Sequence, residues 1–149
     1  TGSVFDSKYK GGDGNEYSTR FNRGHVINLL AGKEWMVKDK NILSISAKVT
    51  YMGGLRYTPA LYDESIESQM YIPNDSQAFS KQFPSTTGVD FTIRYRINKA
   101  KHSGVWFIMV KNAFSQPDYS DPFYDFITND VIIDKMKMPF LSLGYKIEF

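Results

Sequence analysis

The sequence predicts an all-β chain in which about five antiparallel up-and-down strands form the C-terminal part of a transmembrane β-barrel. Three observations predict it. Apolar and polar residues alternate with a period of two over long stretches, aromatics make up 15% of the 149 residues, and Gly and Pro fall between the apolar runs. The length of the alternating runs matters, because strands of soluble proteins cluster near five or six residues whereas crossing a bilayer core takes about nine to eleven.

From Gly2 to Asn22 the chain reads as the end of a long loop, and Lys10-Gly11-Gly12-Asp13-Gly14-Asn15 within it reads as a turn. No helical pattern follows these glycines, which argues against a phosphate cradle. From Val26 to Val37 one face collects Ile27, Leu29, Ala31, Trp35 and Val37, with Lys33 interrupting it. From Leu43 to Tyr51 the apolar set is Leu43, Ile45, Ala47, Val49 and Tyr51, against Ser44, Ser46, Lys48 and Thr50. The run Val89 to Asn98 opposes Val89, Phe91, Ile93, Tyr95 and Ile97 to Asp90, Thr92, Arg94, Arg96 and Asn98. Val105 to Asn112 is apolar on both faces. The last run alternates fully, with Leu141, Leu143, Tyr145, Ile147 and Phe149 on one side and Ser142, Gly144, Lys146 and Glu148 on the other.

Alternation alone fits a soluble sandwich or barrel with one buried face equally well. The connections separate the readings. Lys38-Asp39-Lys40-Asn41 and Lys99-Ala100-Lys101-His102-Ser103-Gly104 are short and hydrophilic, whereas Met52 to Gly88 and Ala113 to Met138 are long and aromatic-rich. Outer-membrane barrels have short periplasmic turns and long extracellular loops. With Phe149 in the periplasm, both short turns fall on the periplasmic side and both long loops outside. The chain opens on Thr1 and its six methionines are all internal, so the expectation is a segment of a longer protein whose remaining strands complete the barrel.

Composition narrows the function classes. The 18 basic residues are spread among 16 acidic ones, for a net charge of +2, with no basic stripe of the kind nucleic acid needs. There is no cysteine, hence no disulfide framework, thiolate metal site or cysteine nucleophile. No run of roughly 18 apolar residues marks a transmembrane helix. His25 and His102 stand far apart, and no Gly-x-Ser-x-Gly elbow or Ser, His and acid constellation is present, so no catalytic residue, metal ligand or cofactor is expected. Asp118, Asp121, Asp125, Asp130 and Asp134 could hold a hard cation, although their spacing is not that of an EF-hand and a solvated loop is the plainer reading. Lys48, Arg94, Arg96, Lys146 and Glu148 would line a lumen, where wall salt bridges are the simpler expectation.

The terminal strand Leu141, Leu143, Tyr145, Ile147 and Phe149 is similar to the signal strand by which the barrel-assembly machinery recognises outer-membrane proteins. The run from Asn22 to Trp35 (NRGHVINLLAGKEW), followed by Tyr51-Met52-Gly53-Gly54-Leu55-Arg56-Tyr57-Thr58-Pro59, resembles the closing strands of Bacteroidetes TonB-dependent receptors. The resemblance spans about Tyr17 to Phe149. It implies a 22-stranded barrel filled by an N-terminal plug, placed in the bacterial outer membrane, that takes up siderophores, glycans, peptides or vitamins. The implied partners are outer-membrane lipid, the rest of the barrel and its plug, TonB acting through the absent N-terminal part, the assembly machinery and, as a further candidate, a surface lipoprotein.

Tyr119, Phe123, Tyr124 and Phe126 are candidate ligand-contacting residues of the second long loop, with aromatic-belt or loop-packing roles as the competing reading. Two other function classes compete. A lipocalin-like soluble barrel for an apolar ligand would need about eight strands, some hidden within the long loops. A barrel enzyme would need a catalytic constellation on those loops.

Overall fold

The computed structural model describes every residue from Thr1 to Phe149. In chain order its strands are Gly2–Val4 (β1), Lys8–Lys10 (β2), Glu16–Ser18 (β3), His25–Val37 (β4), Asn41–Met52 (β5), Arg56–Tyr57 (β6), Lys81–Gln82 (β7), Thr86–Asn98 (β8) and Ser103–Lys111 (β9). Asp118–Tyr119 (β10), Phe123–Asp125 (β11), Asp130–Ile132 (β12), Lys135–Met136 (β13) and Phe140–Glu148 (β14) follow. One α-helix, Tyr62–Ser68 (α1), and a 3-10 turn, Asp75–Gln77, lie between β6 and β7. The chain is all-β with antiparallel pairing throughout.

The five extended segments become β4, β5, β8, β9 and β14, side by side in the order β1-β4-β5-β8-β9-β14. Each long strand pairs with the next in sequence, so the sheet is an up-and-down meander. The connections Lys38–Lys40 and Lys99–His102 and the terminal residue Phe149 therefore share one end, and the long loops share the other. At the first turn Lys38 and Asp39 adopt positive φ (51° and 55°), the conformation whose twist matches flanking antiparallel strands. Buried Asn41 ties the two turns together: its amide donates to Tyr95 Oη (3.3 Å) and its Oδ1 accepts the Asn98 N–H (3.1 Å).

Three expectations need correction. Gly2 to Asn22 is more than a loop, because β1 adds to the sheet alongside His25 to Ile27 and β2 pairs with β3 in a hairpin. Three-residue strands are too short to show a period. The long connections are not featureless either, since they hold α1 and the ladders β6·β7, β10·β13 and β11·β12. These short ladders pair only with each other, and the six-stranded sheet does not close. The enclosed eight-stranded barrel of the lipocalin-like reading is not what these strands build.

Register turns the alternation of each strand into a face. Beside the turns this face carries Val37 with Asn41 and Ile97 with Gly104 and Ile147; the rows that follow read Trp35, Leu43, Tyr95, Trp106, Tyr145, then Lys33, Ile45, Ile93, Ile108, Leu143, then Ala31, Ala47, Phe91, Val110, Leu141, then Leu29, Val49, Val89. From Leu43 to Tyr51 this face runs for about 26 Å at roughly 3.3 Å per residue. Nothing covers it: Leu29, Leu141 and Leu143 are 65 to 69% exposed. The opposite face carries rows such as Gly32, Ser46, Thr92, Met109, Ser142 and Glu34, Ser44, Arg94, Phe107, Gly144. Only 9 of 149 residues are buried, and the two buried hydrophobic side chains, Phe83 and Tyr124, belong to the loop end. A chain of this length folding around its own core buries most of its surface. Here the apolar side chains sit on an open face.

Candidate functional site

Asn22-Arg23-Gly24 leads into β4 and Gly53-Gly54-Leu55-Arg56 leaves β5, so the β4·β5 register sets these two segments side by side. Hydrogen bonds knit them. The Gly53 N–H donates to His25 O (3.0 Å), the Arg23 guanidinium to Gly53 O (2.9 Å) and Arg56 Nε to Asn22 O (3.0 Å). The Asn22 amide, buried, donates to Asp6 Oδ1 (2.6 Å). From the far end of the same loop, the Phe83 N–H donates to Leu55 O (3.0 Å) and Gln82 Nε2 to Gly54 O (3.1 Å). A Cβ at Gly53 would collide with the Arg23 carbonyl and one at Gly54 with the Phe83 carbonyl. Glycine is required here by close backbone approach.

On this hub stands an aromatic stack. Phe83 lies between Tyr57 (centroids 4.4 Å apart, planes at 20°) and Tyr119 (5.3 Å, 10°), and the Lys135 ammonium sits 5.8 Å from the Tyr119 ring. Tyr57 also borders a cleft of about 350 Å³, a size suited to a small-molecule group. Tyr9 from the β2–β3 hairpin and Tyr71 and Phe79 from the β5–β8 loop supply its other aromatic walls. Its charges are Asp75 and the Arg20–Asp121 ion pair (2.6 Å). Tyr71 donates to Thr58 O (2.7 Å), and burial, reinforced by the negative charges of Asp121 and Asp75, pushes its hydroxyl pKa up. Phe79 is held at φ 51°, with its N–H on Thr58 Oγ1 (3.1 Å).

The four aromatics picked out in the second long loop do not form one surface. Tyr119 is engaged in the stack, and Tyr124 is buried with its hydroxyl on Asn129. Phe123 is partly exposed, and Phe126, 74% exposed, rests edge-on against Tyr124 at the tip of the β11–β12 hairpin. The five aspartates of this loop disperse. Asp121 pairs with Arg20, while Asp125 accepts from the Ile127 N–H and the Thr128 hydroxyl and so shapes the hairpin tip, which lowers its pKa. His25 and His102 lie at opposite ends of the sheet, His25 on Tyr51 and His102 near Phe149 (6.2 Å).

Leu141, Leu143, Tyr145 and Ile147 project from β14 on the exposed apolar face, with Phe149 just beyond it. Tyr145 packs at a tilt against Trp106 (4.5 Å) and covers Gly104, while on the other face the Phe107 ring covers Gly144. The outer edge of β14 and β4 beyond Asn28 have no strand beside them. On the polar face Glu148 pairs with Arg96 (3.2 Å) and Lys146 (3.0 Å). Arg94 and Lys48 make no ion pair.

No family model, curated protein or solved structure matches the chain. The cleft is what sequence reasoning missed. Its residues come from three separate loop segments, each unremarkable in isolation, and only the run of tyrosines at 9, 17, 57, 62 and 71 hinted that the loops carry more aromatic surface than packing requires.

Proposed function

We propose that this chain forms part of the wall and outer loops of a bacterial outer-membrane barrel of the TonB-dependent receptor type, which takes up a nutrient such as a siderophore, glycan, peptide or vitamin. The observation that carries this reading is the uncovered apolar face, continuous across β4, β5, β8, β9 and β14, with Trp35, Tyr95, Trp106 and Tyr145 in one row near its turn end. Exposed apolar surface of this extent marks a site of contact with lipid or another protein. An apolar band with an aromatic row near one end is the pattern of a barrel exterior.

Lys33 fits this placement, because its ammonium reaches back to 5.5 Å from the Trp35 ring, toward the turn end where headgroups would lie. The open edges of β4 and β14 support an arc of a larger barrel, since backbone groups at bilayer depth must be paired. In that barrel the polar face of Arg94, Arg96 and Lys146 looks into the lumen toward a plug, the loops face outward, and β14 presents the strand read by the assembly machinery.

The chain has no cysteine, so single substitutions report cleanly on side-chain orientation. In intact outer membranes, cysteines at Ile93 and Leu143 are expected to resist a water-soluble maleimide that labels cysteines at Thr92 and Ser142 in permeabilised cells. Equal labelling on both faces would remove the lipid-facing assignment.

A further inference from the structure

We propose that the cleft between the β2–β3 hairpin and the β5–β8 loop binds an organic cation, a ligand that presents an ammonium group to aromatic faces and carboxylates. Four aromatic residues, Tyr9, Tyr57, Tyr71 and Phe79, line about 350 Å³ of space. Ring faces attract ammonium groups, and several rings around one cavity make the cage that recognises quaternary ammonium ligands.

Charge decides the sign of the ligand. Arg20 is the one basic residue of the cleft, and its guanidinium is already engaged by Asp121. Asp75 has no ion-pair partner, and its carboxylate accepts no hydrogen bond from the protein. An adjoining hollow of about 530 Å³, sharing Tyr9 and Asp75, adds Tyr17 and Asp13 and contributes no basic residue. Together the two spaces set three carboxylates against one cation in a chain whose net charge is +2. A concave surface whose charge opposes that of the whole molecule concentrates ligands of one sign.

Phe79 is fixed at the cleft wall at φ 51° by its N–H on Thr58 Oγ1. The cleft lies wholly in loops, so it would bind such a ligand whether or not the sheet lies in a bilayer.

Titration calorimetry of the full chain in detergent micelles, which cover its apolar face, with choline and with its neutral isostere 3,3-dimethylbutan-1-ol isolates the effect of charge. Choline is expected to bind at least about tenfold more tightly than the isostere, and less tightly as salt is raised. Asp75→Asn and Tyr9→Ala, both at exposed positions, should each weaken choline about threefold or more, whereas Tyr9→Phe, which keeps the ring, should not. Equal affinity for the isostere, no choline binding at millimolar concentration, or choline binding unchanged in both Asp75→Asn and Tyr9→Ala would overturn the proposal.

Discussion

Gly54 stands where the exit of β5 passes under the backbone of Phe83, and a methyl group there would strike that carbonyl. Gly54→Ala is therefore expected to destabilise the loop end by about 1 to 3 kcal/mol, the usual range for overpacking. The readout is faster amide exchange at Phe83, whose N–H is bonded to Leu55 O; unchanged protection would contradict the close approach. Asp13 makes a second prediction, concerning pH. The Tyr17 hydroxyl foremost, then the Asn15 backbone and side-chain N–H groups, hold its carboxyl below the ordinary 3.8. A depressed folded pKa stabilises the hairpin above the unfolded value, and that stabilisation is lost as pH falls through the folded value. The Tyr17 ring resonances should accordingly shift below about pH 4 and stay flat in Asp13→Asn. No shift in the native chain would contradict the contact. Among single residues, the sequence showed that the glycines at 11, 12 and 14 form a turn, and Gly14 indeed has φ 84°. It could not show why Gly53 and Gly54 are glycines, because the atoms they avoid belong to residues 23 and 83.

Strands with a complete period were legible, and those without one were not. β5, β8 and β14 alternate so regularly that their faces follow from the sequence, and the register then aligns Ile45, Ile93, Ile108 and Leu143 in one row. β9 carries apolar residues on both faces, and the structure accounts for part of this: Phe107 fills the space above Gly144, a cross-strand partner without a side chain. The three residues of β1 and the two- or three-residue ladders of the loops carry too little pattern to find, and α1 at seven residues is not much longer. For β14 the prediction is a contrast between neighbours. Leu143→Arg places a charge near the middle of the apolar band and should weaken membrane assembly by about 2 to 4 kcal/mol, whereas Ser142→Arg on the polar face should be tolerated. The amount of each variant in the outer-membrane fraction reads the difference. Equal loss for both would mean that β14 does not sort its faces between lipid and lumen.

At the scale of the whole molecule, the six-stranded sheet and its loops divide the physical work. The sheet holds a wide apolar face and two unpaired edges, and the loops hold the two buried hydrophobic side chains, the hydrogen-bonded hub around Asn22 and Gly54, and the aromatic cleft. That long loops share one end and short turns the other was legible from connection lengths alone, since antiparallel meanders leave no other choice. Which loops meet was not, because Tyr9, Tyr57 and Asp121 become neighbours through tertiary contacts that no local pattern encodes. An open sheet with a bare apolar face is incomplete in water, and the proposed function completes it as an arc of a closed wall in lipid. The direct test is an immunoblot of fractionated source cells, using an antibody against the loop from Tyr62 to Phe83, with and without heating in detergent. The account predicts a band well above the chain's own 17.1 kDa, confined to the outer membrane and migrating faster before heating than after. A band of 17.1 kDa in the soluble fraction, indifferent to heating, would contradict it.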